Sequence, residues 1–462
     1  MRTRLLVFLW FTFCWFASQA QNTNYNTFSN FYQGYYIHDI VELKDSSLLF
    51  YNERSTSLTT PGMQLRRISK SGELLDSMSM FVGKYPRIYE FHHGAFAFLN
   101  DSIAISGFSA IGSSNLPPNH LEVILIKVKA LPHLDTIKTQ ILTVSFPDSF
   151  YTWNQWRDYR PRAIIKSKNG NVLLAGELIG NEGFGMPYFT EVDEDLNVVN
   201  SFYLFDSIFG YRIHGFQELN DGTFIISGQV FQYGSLFQQL RNSTRAFIAR
   251  IDTSGQFIWR NIIPSGAPSN RNFYANDRPA SFDMSADSTL GLAYFQHLAC
   301  PDSTRPNPCV FSNAIIGRYR FISYDLNGNI LSSSNITSEN VLALVFSGMS
   351  AYQIKAISNN KGYIFSGNYI NRGINVTAGF VSRLSQTGDS IWWREPRLRH
   401  SNPFEDYNSI FLTRETSDGG FVGVGIYHIL ESLTTIHRTR GFVFKLDSNG
   451  CYEPGICPNS ML

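Results

Sequence analysis

The chain is poor in charged residues and has no long helical pattern. Of its 462 residues only 16% are Asp, Glu, Lys or Arg, and the formal net charge is +1. A nearly neutral chain lacks the basic surface that attracts nucleic acids and acidic polymers, so we expect neither as a partner. No long run of Ala, Glu, Lys and Leu occurs, and aromatics reach 15%. This composition favours strands and turns over solvated helices.

Beyond the N-terminus, no stretch is apolar enough to cross a bilayer. The N-terminus has the parts of a secretory signal: Arg2 and Arg4, an apolar segment over residues 5–16, and small residues up to Ala20. The apolar segment is too short for a comfortable membrane span. We therefore expect cleavage after Ala20 and an exported protein, secreted or periplasmic, with no membrane span.

Cysteine is scarce, with five residues in the whole chain. One lies in the predicted signal, and the other four form two local pairs, Cys300 with Cys309 and Cys451 with Cys457. An even number of cysteines in an exported chain predicts disulfides, here two that close small loops. Zinc binding is the alternative, but neither pair has the two-residue spacing of a zinc knuckle.

Motifs of common catalytic and cofactor sites are also missing. No Gly-x-Ser-x-Gly elbow, phosphate-binding glycine loop or His-Glu-x-x-His spacing occurs. Asp193 opens an acidic turn that resembles the start of a calcium loop, but the glycine and glutamate that such a loop needs are absent. We therefore expect no cofactor, no metal and no catalytic residue of a familiar kind.

What the chain does contain is one unit of about 60 residues in seven copies. An apolar segment such as residues 223–228 (TFIISG) precedes a second apolar segment, which ends in a turn of the type Asp-x-x-Gly. We expect the aspartate to accept hydrogen bonds from its own turn backbone. The seven turns open near Ser69, Lys129, Asp193, Asp252, Asp325, Ser385 and Asp447.

Each unit has the pattern of four antiparallel strands, which is a propeller blade. The sequence predicts an all-β, seven-bladed β-propeller, with six blades as the alternative because the first two copies are the weakest. The last copy lacks a convincing fourth strand, so we expect residues 25–36 to supply it and close the ring. The predicted organisation is a signal peptide over 1–20, the propeller over 21–450 and a disulfide-closed tail over 451–462.

Three segments carry a resemblance to a known group of proteins: 418–421 (DGGF), 444–447 (FKLD) and 251–255 (IDTSG) followed by Trp259. They are similar to the repeats of secreted bacterial β-propeller proteins, with the pattern DGGF, glycine, loop, KLDxxGxxxW. The resemblance covers roughly 400 residues and implies the propeller fold. Many members of that group have no assigned activity, so it implies little about function.

The lengths of the connections predict which face of the ring binds a ligand. The loops between second and third strands, and those between blades, are long, and both kinds emerge on one face of a four-stranded blade. We call this the long-loop face, and the opposite side, which carries the short turns, the turn face. Long loops on a rigid scaffold are where binding surfaces are usually built.

Basic residues in the first strands are the candidate binding residues. Arg160 and Arg212 occupy equivalent places in two copies, and Arg162 matches His214 in the same way. Because first strands line the channel of a propeller, these side chains are candidates to converge at one channel mouth and bind an anion. Arg278 lies one position off in the next copy.

Two further observations bear on these residues. Trp153 and Trp156 fall in a blade-to-blade loop, where they are candidates to stack on a sugar or to clamp a partner. The alternative is structural: the arginines pair with local carboxylates such as Asp158 and Asp277, and the tryptophans cap blades.

The sequence as a whole favours an exported, monomeric and non-enzymatic propeller that acts as a binding or surface-interaction module for a protein or glycan ligand. The alternative is a carbohydrate-active enzyme, a hydrolase or lyase, with its site at the channel mouth. Such an enzyme needs two carboxyl groups about 5–9 Å apart with different pKa values.

Overall fold

The structure is a computed structural model that describes residues 37–55, 61–81, 87–90, 96–111, 120–145, 156–180, 185–206, 208–232, 244–264, 281–297, 310–311, 314–337, 341–344, 353–371, 376–396, 406–432, 435–451 and 457. Regular structure in this part of the chain is β-strand, apart from one 3-10 turn at Ser358–Asn360.

The strands fall into seven consecutive groups. The first three blades contain β1 (Ile37–Glu42), β2 (Leu48–Ser55), β3 (Pro61–Ile68) and β4 (Leu74–Phe81); β5 (Arg87–Glu90), β6 (Ala97–Asn100), β7 (Ile103–Ile111), β8 (His120–Lys129) and β9 (Asp135–Ser145); and β10 (Trp156–Lys166), β11 (Val172–Gly180), β12 (Gly185–Val192) and β13 (Val198–Tyr203). Blades four and five contain β14 (Phe209–Glu218), β15 (Phe224–Gln232), β16 (Thr244–Ile251) and β17 (Phe257–Ile262); and β18 (Ser281–Met284), β19 (Leu290–His297), β20 (Val310–Phe311), β21 (Ala314–Tyr324) and β22 (Ile330–Asn335). After the bridging strand β23 (Val341–Leu344), the last two blades contain β24 (Gln353–Ala356), β25 (Tyr363–Asn371), β26 (Val376–Leu384) and β27 (Ser390–Arg394); and β28 (Asp406–Glu415), β29 (Phe421–Ser432) and β30 (Thr435–Leu446).

Most blades are four-stranded antiparallel sheets, as in the order β14-β15-β16-β17. The prediction of an all-β, seven-bladed propeller is confirmed, and the six-bladed alternative is wrong. Blade seven has three strands in the described part of the chain. Its predicted fourth strand from residues 25–36, and the predicted signal over 1–20, lie outside the described residues and stay predictions. In blades five and six, β23 pairs with both β21 and β25 and joins the two blades into one sheet.

The ring closes where blade seven packs on blade one. Leu412 and Val424 share one buried cluster with Ile37 and Phe50, which lie in β1 and β2. Apolar burial of this kind is what makes the blades stable as a set. Similar clusters fill the other seams.

A β-bulge in the first strand explains the glycine in the second-strand motif. The register of β14 and β15 shifts next to Ile213, opposite Gly228, and that of β28 and β29 shifts at the same place opposite Gly425. A Cβ atom on Gly228 would lie 1.8 Å from the carbonyl oxygen of Arg212. On Gly425 it would lie 2.1 Å from that of Ser409. The backbones come so close that only glycine fits.

The Asp-x-x-Gly turns hold themselves together, as predicted. Asp252 Oδ1 accepts hydrogen bonds from the backbone N–H groups of Ser254 at 2.8 Å and Gln256 at 2.9 Å. Asp193, Asp325 and Asp447 make the same two bonds in their turns. These carboxylates therefore have a structural role.

The glycine of the same turn receives a side chain from the preceding blade. Trp259 lies on Gly328, where an added Cβ would be 2.8 Å from the indole ring, and its Nε1 donates to the Leu326 carbonyl at 3.0 Å. Trp392 packs on Gly450, where an added Cβ would be 3.0 Å from the indole ring. The tryptophans thus join successive blades on the turn face.

Candidate functional site

The inner wall of the ring is built from the first strands of the blades. Strands β10, β14, β18, β24, β28 and β1 contact one another in succession. They therefore line the channel, as expected from the sequence, and residues toward the start of each strand lie at the long-loop end.

The backbone register places the predicted basic residues in equivalent positions. Arg160 lies opposite Glu177, and Arg212 lies opposite Gln229. A bulge follows in both strands. The predicted equivalence of Arg160 with Arg212 therefore holds in the structure, whereas their role in binding remains a prediction.

Arg162 is buried in an ion pair with Glu177. Its Nε donates to Glu177 Oε1 at 3.1 Å, and its Nη2 donates to the same oxygen. The side chain of Arg162 is 7% exposed and that of Glu177 is 0% exposed. Among the described residues, none donates a hydrogen bond to the other oxygen, Oε2. The partner carboxylate is thus a second-strand residue that the sequence reasoning did not consider.

The same place in blade four is polar but uncharged. Gln229 is buried, and its Nε2 donates to Thr244 Oγ1 at 3.3 Å. The half-buried Arg212 places its guanidinium 5.9 Å from the centroid of the Phe231 ring. His214 is half-buried and, like Arg212, makes internal contacts. Polar side chains of two neighbouring blades therefore lie at one level of the wall.

The remaining predicted residues lie beyond what the structure describes. Arg278 and Trp153 lie outside the described residues, as do the side chains of Arg160 and Trp156. The same holds for much of the long-loop face, including residues 112–119, 146–155, 233–243, 265–280 and 298–309. The structure therefore describes the channel wall but not the loops above it.

One predicted disulfide is present and the other is untested. Cys451 and Cys457 are bonded, so this prediction is confirmed. Cys300 and Cys309 lie outside the described residues. Within the described ranges, no group of three His, Cys, Asp or Glu side chains is arranged to hold a metal ion. None of the described helices is both long enough and apolar enough to cross a membrane.

Carboxylates on the turn face join the blades. Glu42 accepts hydrogen bonds from the backbone and hydroxyl of Ser417 at 2.6 and 2.7 Å, across the seam between blades seven and one. Glu218 accepts the Lys168 N–H at 2.9 Å, and Glu415 accepts that of Ser358 at 2.7 Å. The three glutamates end equivalent first strands, and each holds a turn of the preceding blade.

Basic side chains on the same face bond to the following blade, whereas the glutamates bond to the preceding one. Arg250 donates to the Leu326 carbonyl of the next blade at 3.1 Å, and Lys127 donates to that of Glu194 at 2.9 Å. Such charge-assisted bonds use up the turn carbonyls. Many polar groups of the turn face are therefore already hydrogen-bonded to a neighbouring blade.

Asp418 and Lys445 form a partly buried pair on this face. Burial alone would raise the pKa of the Asp418 carboxyl, but hydrogen bonds from Lys445, Thr416 and the Gly420 amide outweigh it and lower the pKa to about 2. Burial lowers the pKa of Lys445 despite the bond to Asp418, because Lys445 is the more deeply buried partner.

The Asp418 pair predicts a dependence of stability on pH. The pKa of the Asp418 carboxyl in the folded protein lies below the ordinary value of 3.8. The contribution of the ionised carboxylate to the free energy of unfolding is therefore present above pH 3.8 and is lost as pH falls through about 2. We expect Asp418→Asn to lose about 1 kcal/mol at pH 7 and little at pH 2. Urea unfolding across this range measures the difference. Asp101→Asn, at an exposed pair with Lys44, is the control; equal pH dependence in the two variants would contradict the prediction.

The described wall and seams define the class of protein, a seven-bladed β-propeller. No family model and no curated protein matches the sequence. A protein of unknown function from Dyadobacter fermentans has a similar structure, with 10% identity, coverage of 78% of this chain and 97% of that one, and a TM-score of 0.40. Trypanosoma rangeli sialidase has 10% identity, coverage of 88% of this chain and 72% of that one, and a TM-score of 0.42. A levansucrase mutant from B. megaterium has 12% identity, coverage of 66% of this chain and 83% of that one, and a TM-score of 0.37. Similarity this remote carries nothing about function.

Proposed function

We propose that the protein is an exported binding module whose ligand site lies on the long-loop face at the channel mouth. The observation that supports this proposal is the hydrogen bonding of the turn face. There, turn carbonyls, glutamates and basic side chains bond one blade to the next. Groups used in this way are not free for a ligand, whereas loops on a rigid scaffold are. The ligand is a protein or glycan, and the protein acts as a monomer in the periplasm or outside the cell.

The described channel wall gives the enzymatic alternative no specific support. The described residues include three deeply buried carboxylates, Asp39 in β1, Glu177 in the second strand β11 and Glu395 just after β27. Glu395 accepts a hydrogen bond from the Tyr369 hydroxyl. Asp39 pairs with Arg414 at 2.8 Å, and Glu177 pairs with Arg162. Pairing with arginine balances a buried negative charge. The two ion pairs are therefore explained by a structural role.

A comparison of two double variants tests the proposed face. Glycan arrays and immobilised candidate proteins would first identify a ligand of the mature chain, residues 21–462. We expect Arg160→Ala with Arg212→Ala to weaken binding by about tenfold or more, since arginines often dominate binding energy. The matched control, Lys44→Ala with Lys168→Ala, removes the same charge from exposed sites on the turn face. Loss of binding in the control, with no loss in the channel variant, would overturn the proposal.

A further inference from the structure

Three turns of the chain contain an asparagine followed by glycine, the pair of residues that is most prone to spontaneous deamidation. The asparagines are Asn169, Asn327 and Asn449, and all three are exposed. In this reaction the glycine amide nitrogen bonds to the carbonyl carbon of the asparagine side chain, and ammonia leaves. Water then opens the resulting succinimide to aspartate or isoaspartate, so water is the only co-reactant.

The attacking nitrogen is hydrogen-bonded in each of the three turns. Gly328 N–H donates to the Asp325 carbonyl at 3.1 Å. Gly450 and Gly170 make the same bond in their turns, at 3.0 and 3.1 Å. A nitrogen held in this way cannot turn toward the asparagine side chain. Deamidation therefore requires the turn to open first.

Blade four covers the turn that contains Gly328. An added Cβ on Gly328 would lie 2.8 Å from the Trp259 ring. Trp259 Nε1 and Arg250 Nη1 both donate to the Leu326 carbonyl, at 3.0 and 3.1 Å. Asn261 Nδ2 donates to the Gly328 carbonyl at 2.7 Å. The turn therefore cannot open unless the seam between blades four and five opens with it.

Blade six covers the turn that contains Gly450. Trp392 packs on this glycine, and Arg394 Nη2 donates to the Asn449 carbonyl at 3.2 Å. The third turn differs, because an added Cβ on Gly170 would meet nothing within 4 Å. Two of the three reactive turns are thus covered at their glycine by a tryptophan of the preceding blade, and one is not.

We propose that Asn327 and Asn449 are sites of spontaneous deamidation, and that each reacts when the seam that covers its turn opens. Isoaspartate inserts an extra carbon into the backbone, and both products add a negative charge beside the aspartate that opens the turn. The modified turn no longer fits the tryptophan, so each event weakens one joint of the ring. This inference does not depend on the proposed binding function.

Reciprocal substitutions of the two tryptophans test the proposal. The folded mature protein is stored at neutral pH in isotopically labelled water, and mass spectrometry of proteolytic peptides measures the conversion of each asparagine. We expect Trp259→Ala to speed the reaction at Asn327 by roughly tenfold or more, since opening the seam then costs less. Asn449 is expected to keep its rate. Trp392→Ala is expected to have the reverse effect, and Asn169 is the reference that neither substitution changes.

The outcomes separate local opening of a seam from a general loss of stability. An unchanged rate at Asn327 in Trp259→Ala, or an equal rise at all three asparagines, overturns the proposal. Should Trp259→Ala fail to fold, Arg250→Ala decides in its place, because it removes another bond to the same turn. The double variant Asn327→Gln with Asn449→Gln is expected to keep its unfolding midpoint during storage, while that of the unmodified sequence falls. Equal losses in the two proteins would show that these sites do not weaken the ring.

Discussion

Arg162→Ala is expected to destabilise the protein by about 3–5 kcal/mol, because it leaves the charge of Glu177 buried without a counterion. Glu177 is fully buried, and Arg162 supplies both of its hydrogen bonds. Chemical denaturation of the mature chain measures the loss as a shift in midpoint. Arg212→Ala is the comparison, since Arg212 corresponds to Arg160, two residues before the position of Arg162, and its side chain is only half-buried.

The double variant Arg162→Met with Glu177→Leu shows whether an unbalanced charge causes the loss of stability expected for Arg162→Ala. Replacing a whole buried pair with apolar residues of similar size is often neutral for stability. We therefore expect it to recover most of what Arg162→Ala loses. A double variant as unstable as the single one would mean that packing, not an unbalanced charge, explains the loss.

Gly328→Ala is expected to cost about 2–4 kcal/mol, the second largest effect. The backbone at Gly328 has a φ of +84°, which disfavours any residue with a side chain. The added methyl would also lie 2.8 Å from the Trp259 ring, and overpacking of this kind typically costs about 1–3 kcal/mol. Thermal or denaturant unfolding measures the sum of the two effects.

Gly222 provides a matched control for the collision. Its φ is +80°, close to that of Gly328, but an added Cβ there meets nothing within 4 Å. Gly222→Ala is therefore expected to lose about 1 kcal/mol, the backbone contribution alone. Equal losses at Gly222 and Gly328 would show that the tryptophan does not constrain the turn.

Much of the fold follows from local chemistry that can be read in the sequence. The Asp-x-x-Gly turns, such as that at Asp252, recur at a regular interval and form their own hydrogen bonds. Each unit is too small to bury its apolar faces alone, so repetition implies stacking. This is why the seven blades and the equivalence of Arg160 with Arg212 were predictable.

The contacts that form the site were not predictable in the same way. Arg162 and Glu177 meet because a bulge shifts the register of β10 and β11. The glycine of the second-strand motif is a sequence signal for such a bulge, but it does not tell which side chains the shift brings together. The role of Glu218 depends on which blade its turn faces. A signal did exist for it: glutamate stands three residues before the turn aspartate in blades one, four and seven, at Glu42, Glu218 and Glu415.

The strand shared by blades five and six makes one joint of the disc unlike the other described joints. At the seam between blades seven and one, the described contacts are packed side chains and bonds from Glu42 and Asp39. At β23 the two blades are linked through backbone pairing, over four residue pairs with β21 and one with β25. Side-chain contacts can slip and re-form, whereas separating blades five and six also breaks backbone hydrogen bonds. If the ring widens or twists to admit something large, we expect another seam to open first, with blades five and six moving together.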